Sequence, residues 1–135
     1  MKISIFVSVS LLSVTLLFSS CKKQAGQGGT SSIQGKIFIA HYNVFTPVDS
    51  FYSGKQNVYI IYGSDNYFSD KIESSYDGTF KFPYLKKGKY TIFTYEDCLN
   101  GTDCNGGLKV VKTEVELTGN KQTLDIGDIR VKKIY

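Results

Sequence analysis

The chain has 135 residues, with 16 lysines and arginines against 12 acids, one histidine, three cysteines, no tryptophan, ten tyrosines and nine phenylalanines. That length holds one domain with a real hydrophobic core and no more. The formal net charge of +4 comes from basic residues scattered singly or in pairs among the acids, which argues against nucleic acid as a partner. A lone histidine, His41, and the lack of a Gly-x-Ser-x-Gly elbow give no basis for a catalytic centre, so no catalytic residue, metal or cofactor is assigned.

The first twenty residues read as a secretory signal. Lys2 precedes an apolar run from Ile3 to Phe18, then small Ser19 and Ser20, then Cys21 and an abrupt change to Lys22 and Lys23. The run is shorter than the roughly 20 residues of a spanning helix, and the order charged, apolar, small is that of a cleaved leader. Phe18-Ser19-Ser20-Cys21 resembles the cleavage box of bacterial lipoproteins, with Phe18 where Leu more often stands. The resemblance implies removal of residues 1–20 and an acylated Cys21 that attaches the protein to a membrane. Each buried methylene of such chains contributes ~0.8 kcal/mol, so several chains hold firmly where one does not. Similar lipoproteins carry Asp after the cysteine when retained in the inner membrane. Lys22 therefore implies the outer membrane, and the absence of an acidic cluster favours its periplasm-facing leaflet over the cell surface. From the cysteine to residue 32 the chain is read as a tether, since Gln24 to Ser32 shows no apolar periodicity and is rich in Gly, Gln and Ser.

Residues 33–135 are strongly β in pattern. Alternating β-branched and aromatic residues mark strands near 33–42, 57–62, 69–75, 78–82, 89–96, 108–117 and 123–133, and no window supports a helix. Turn signals at Thr46-Pro47, Ser53-Gly54, Gly63 to Asn66, Asp77-Gly78, Lys87-Gly88 and Gly119-Asn120 separate them at the spacing of an antiparallel sandwich. Val111, Thr113, Val115 and Leu117 are expected on one face, with Lys112, Glu114 and Glu116 in water. Asp77-Gly78 predicts a hairpin, and Pro83 predicts the end of the strand after it. Lys86, Lys87 and Lys89 around Gly88 read as a solvated turn.

The run from Tyr76 through Asp77-Gly78-Thr79-Phe80 and Leu85 to Gly88-Lys89-Tyr90-Thr91-Ile92 resembles the signature of carboxypeptidase regulatory-like and Cna-B-like domains. The likeness extends loosely over most of 33–133 and implies a seven-stranded, transthyretin-like sandwich. It says little about activity, because such modules occur beside peptidases, in transporters, in stalks and alone. The usual turn after the first strand is reduced to Thr46-Pro47-Val48 and a later Gly54, which predicts a longer, irregular first connection. Some Cna-B relatives carry an isopeptide bond. Lys36, Asp125 or Asp128, and Glu114 or Glu116 supply its residue types without its pattern.

Cys98 and Cys104 remain for a disulfide, which an exported chain permits and which would steady a Gly- and Asn-rich loop. Asp97, Asn100, Asp103 and Asn105 in that loop read as turn residues, since their spacing is not that of a calcium loop. Most aromatics fall on strands and are expected in the core. Phe45, Phe51, Tyr52, Tyr67 and Phe68 lie in or beside the first two long connections and are the candidates for a ligand or partner surface. The sequence thus points to a non-enzymatic interaction or structural module of the envelope, with an envelope protein as partner. The alternatives are a glycan bound by loop aromatics and an accessory role to an envelope enzyme or transporter.

Overall fold

The computed structural model describes residues 24–101 and 103–135, so the signal segment, the acylation at Cys21 and the leaflet determinant Lys22 lie outside the described residues. Eight strands follow one another: β1 (Gln27–Asn43), β2 (Thr46–Tyr52), β3 (Asn57–Tyr62), β4 (Asp70–Glu73), β5 (Thr79–Leu85), β6 (Gly88–Asp97), β7 (Leu108–Leu117) and β8 (Thr123–Ile134). Among the described residues there is no helix. One sheet has the order β4-β3-β6-β7 and is antiparallel throughout. The other is built on β1, with β8 along one edge and, on the opposite edge, β5 beside its first half and β2 beside its second.

The all-β sandwich is as expected, but four details differ. The strand count is eight rather than seven, because the first connection is itself a strand. Every residue of β2 is exposed, so it carries no alternation to read. The β1 and β8 pair is parallel, so the sandwich is not wholly antiparallel. A parallel pair needs a long crossover, and the six strands between supply it. Asp77-Gly78 forms a tight turn but not a hairpin, since β4 and β5 belong to different sheets. Asp77 accepts from the Thr79 amide at 3.1 Å and hydroxyl at 2.7 Å, while Gly78 takes φ +81°. Those two bonds hold the exposed Asp77 carboxyl below the usual carboxylate range. Finally, Pro83 does not end its strand: β5 continues to Leu85, with Tyr84 at φ +58° marking an irregularity beside β1.

The core follows from alternation. Ile33, Ile37 and Ile39 of β1, Phe80 and Phe82 of β5, and Ile129 and Val131 of β8 face Val58 and Ile60 of β3, Tyr90 and Ile92 of β6, and Leu117 of β7. Each such buried side chain contributes about 1.5–3 kcal/mol through removal from water. In β7 the expected faces are found, with Thr113 and Val115 half-buried, Leu117 buried, and Lys112, Glu114 and Glu116 exposed.

The domain also begins earlier than residue 33. The segment expected to be a free tether is strand from Gln27 onward, and Ser31 and Ser32 are buried. The physical reason is polar pairing. Ser31 Oγ donates to the Gly119 carbonyl and accepts from the Gln122 amide, Ser32 Oγ donates to Thr123 Oγ1, and the Lys121 amide donates to Thr30 Oγ1. Hydroxyls that looked like linker composition satisfy the turn between β7 and β8.

Candidate functional site

β1 runs the length of the sandwich, and its ends define two poles. Its 17 residues span roughly 50 Å at about 3.3 Å per residue. The entry pole is where the described chain begins; the far pole carries the β1–β2 turn and the end of β6.

At the entry pole the chain is fastened rather than loose. The hydroxyl of buried Tyr90 accepts from the Gly26 amide at 3.0 Å and donates to the Lys86 carbonyl at 2.7 Å. Burial pushes that phenol above its ordinary value. Gly88, at φ +150°, leaves room for Ala25, whose Cβ would lie 2.7 Å from any Cβ placed there. The β5–β6 and β7–β8 turns meet here, and Lys86, Lys87 and Lys121 line one open cavity of ≈ 630 Å³ together with Gln24, Thr30 and Asn120.

The far pole sets exposed apolar residues among charged ones, Glu96, Asp97, Lys109 and Lys132, and is partly strained. Val44 and Phe45 join the last β1–β2 pair, Asn43 with Thr46. Val44 sits at φ +56°, a region that β-branched residues rarely adopt, and Phe45 is 83% exposed. Beside this tip, Cys98 and Cys104 are bridged as expected, with Cα atoms 5.9 Å apart. The Cys98 amide donates to the Gly107 carbonyl, which closes the base of the loop. Leu99 on the loop is 48% exposed and shares with Phe45 a shallow groove of ≈ 350 Å³, lined also by Asn100, Lys109 and Lys132. Asp97 pairs with Lys133 Nζ at 3.2 Å and accepts from the Ile134 amide at 3.0 Å, so it ties β6 to β8.

The two outer faces carry aromatic arrays. On the β4-β3-β6-β7 sheet, Tyr59 and Phe93 stack with centroids 4.9 Å apart and planes 13° from parallel, and Tyr95 and Phe68 meet Tyr59 edge-on. On the β1 sheet, Lys36 lies over Tyr52, Arg130 over Phe38 and Lys132 over Tyr42. The Tyr52 hydroxyl donates to Asp128 at 3.1 Å, and that bond raises its phenol.

The five aromatics singled out from sequence are therefore dispersed. Phe45 is at the far pole. Phe51 and Tyr52 point to opposite sides of β2, Phe51 against His41 and Tyr52 against Phe38. Tyr67 is 83% exposed in the β3–β4 connection, and neighbouring Phe68 folds back onto Tyr59. Tyr59 and Tyr95, expected in the core with most strand aromatics, instead lie on an outer face, where they cover a buried Phe93. Their alternation with buried Ile60 and Ile92 was the available signal. His41 bonds Asp49 at 2.7 Å and the Tyr135 hydroxyl at 3.1 Å. Lys36 and Glu114 occupy outer faces of different sheets, Glu114 paired with Lys112, so the residue types of an isopeptide bond are not assembled. Among the described residues no His, Cys, Asp and Glu group has the geometry to hold a metal, and no helix is long and apolar enough to cross a membrane. No family model matches the chain, and no curated protein matches it.

Proposed function

We propose that this protein is a lipid-anchored module of the bacterial envelope, held in the outer membrane through Cys21, that acts by binding a protein partner at its far pole. The observation that carries the reading is the placement of exposed Phe45 and Leu99 along one groove, at the end of the sandwich opposite the start of the described chain. Aromatic side chains are enriched in protein interfaces, and Leu99 would extend the apolar contact that Phe45 offers. The disulfide fixes one wall, which lowers the cost of ordering it on binding. The two-sheet, all-β architecture and the Asp77-Gly78 turn support a carboxypeptidase regulatory-like or Cna-B-like sandwich, a scaffold that commonly carries function in its loops.

The test is cross-linking in living cells with tagged full-length protein, comparing wild type with Cys21→Ala and with Phe45→Asp/Leu99→Asp. Both far-pole side chains are exposed, so the double variant is expected at normal level. One envelope protein captured by wild type and lost in the far-pole variant supports the reading. Unchanged capture in that variant refutes the far pole as the interface. A glycan-binding reading is favoured only by the outer array of Tyr59, Phe93, Tyr95 and Phe68, since sugar rings stack on such surfaces. Polysaccharide retention that survives Phe68→Ala/Tyr95→Ala removes it.

A further inference from the structure

The turn lysines acquire a different meaning once the strands bring them together. In sequence, Lys86 and Lys87 are separated from Lys121 by more than thirty residues. In the fold they line one cavity at the entry pole, and the cavity has no carboxylate in its lining. None of the three forms an ion pair among the described residues. The nearby Asp70 belongs to the neighbouring groove, where it accepts from Gln27 Nε2 at 3.1 Å. Of the other lining residues, Gln24, Thr30 and Asn120 carry side-chain donors suited to the oxygens of an anion, while Ser31 commits its hydroxyl proton to the Gly119 carbonyl and Gly29 and Leu85 complete the wall.

Two further features give the occupant. Gln24 lines this same cavity and lies three residues after Cys21, a reach of at most roughly 10 Å. The fastening of Ala25 and Gly26 by Gly88 and Tyr90 leaves no longer tether. An acyl chain on Cys21 therefore holds this pole within about one headgroup layer of the bilayer. Tyr84, 72% exposed, stands at the end of β5 beside Gln27 and Gly28, and Tyr67, 83% exposed, belongs to the β3–β4 loop, whose first residue Gly63 lies beside Ala25. Tyrosine beside lysine is the composition that settles at a membrane–water interface.

We propose that the entry pole is a docking face for anionic lipid headgroups, with Lys86, Lys87 and Lys121 gripping a lipid phosphate in the cavity and Tyr67 and Tyr84 resting among the headgroups. This rests on the lipid-anchor reading and deepens it: the acyl chains attach the protein, and the lysines fix its orientation with the far pole directed away from the membrane. Each lysine near an anionic surface favours docking about fivefold, so the three together favour it about a hundredfold.

The experiment uses full-length protein purified from bacterial membranes and reconstituted into vesicles of phosphatidylcholine, with or without phosphatidylglycerol. Amine labelling is read by mass spectrometry at Lys86, Lys87 and Lys121, with Lys109 and Lys112 of β7 as internal references. The expected result is labelling of the entry-pole lysines slowed about tenfold in phosphatidylglycerol vesicles, relieved by high salt and absent in phosphatidylcholine alone, with the references unchanged. Equal labelling of all five lysines on a protein whose Cys21 peptide carries acyl mass overturns the docking face and leaves the anchor standing. Salt-independent protection in both vesicle types is shielding by the bilayer alone and also overturns it. A Cys21 peptide without acyl mass overturns the anchor and the docking face together.

Discussion

The two poles of this sandwich are held by opposite means. At the entry pole, polar groups do the fastening: the Tyr90 hydroxyl grips Gly26 and Lys86, and Ser31 and Ser32 bond the β7–β8 turn. At the far pole a covalent bridge steadies a loop whose neighbours, Phe45 and Leu99, bury little. Hydrogen bonds to buried groups are costly to lose, because the partner left behind stays desolvated. An exposed apolar tip loses little by substitution. The entry pole is thus coupled to the stability of the whole domain, whereas the exposed side chains of the far pole can change at little cost to it.

Breaking Tyr90 should have the largest effect. Tyr90→Phe keeps the ring and removes the hydroxyl, which strands the Gly26 amide and the Lys86 carbonyl. A loss of about 2–3 kcal/mol in urea denaturation is expected, together with faster hydrogen exchange at the Gly26 amide. Undiminished stability would show that the fastening at this pole lies elsewhere. The same variant has a signature in pH. The Tyr90 phenol is raised in the folded protein by burial, so its contribution is complete below the unfolded value of about 10 and falls as pH rises through the folded value. The stability gap between wild type and Tyr90→Phe should therefore narrow above about pH 10; Tyr62, raised mainly by its own burial and to a lesser degree by Tyr90, titrates in both proteins.

The bridge at the other pole matters less. It closes a short loop, six residues apart in sequence, and the chain-entropy model assigns such a loop about 2 kcal/mol as an upper figure. Cys98→Ser/Cys104→Ser should cost about 1–2 kcal/mol and leave exchange at Gly26 unchanged. A larger cost, or an effect at Gly26, would mean that the poles are energetically linked through β6.

Where the sequence was legible follows the same division. β3, β6 and β7 were marked within a residue because β-branched and aromatic residues fill them, with an apolar inward row in each, and the cysteine pair declared itself by its short spacing in a Gly- and Asn-rich loop. The start of β1 was illegible because its strand character comes from Thr30, Ser31 and Ser32 bonding a turn about ninety residues away, which no local pattern encodes. β2 was missed for a related reason: an edge strand exposed on both sides has no period. The candidate surface suffered most. Phe51 and Tyr52 are adjacent in sequence and opposed in space, while Lys121 joins Lys86 and Lys87 only when the β5–β6 and β7–β8 turns converge on one pole.

The smallest expected change in stability bears most directly on function. Phe45 touches solvent over most of its surface and Leu99 over about half, so Phe45→Ala/Leu99→Ala should alter unfolding free energy by no more than about 0.5 kcal/mol. Val44 complicates this tip, because a β-branched residue at φ +56° carries strain. Val44→Gly relieves it and should raise stability slightly, or leave it unchanged where added backbone freedom offsets the gain. A tip that loses partner capture on Phe45→Ala/Leu99→Ala while stability holds is a binding surface. One that loses stability by several kcal/mol is part of the core, and the division between a fastened pole and a free one would then be wrong.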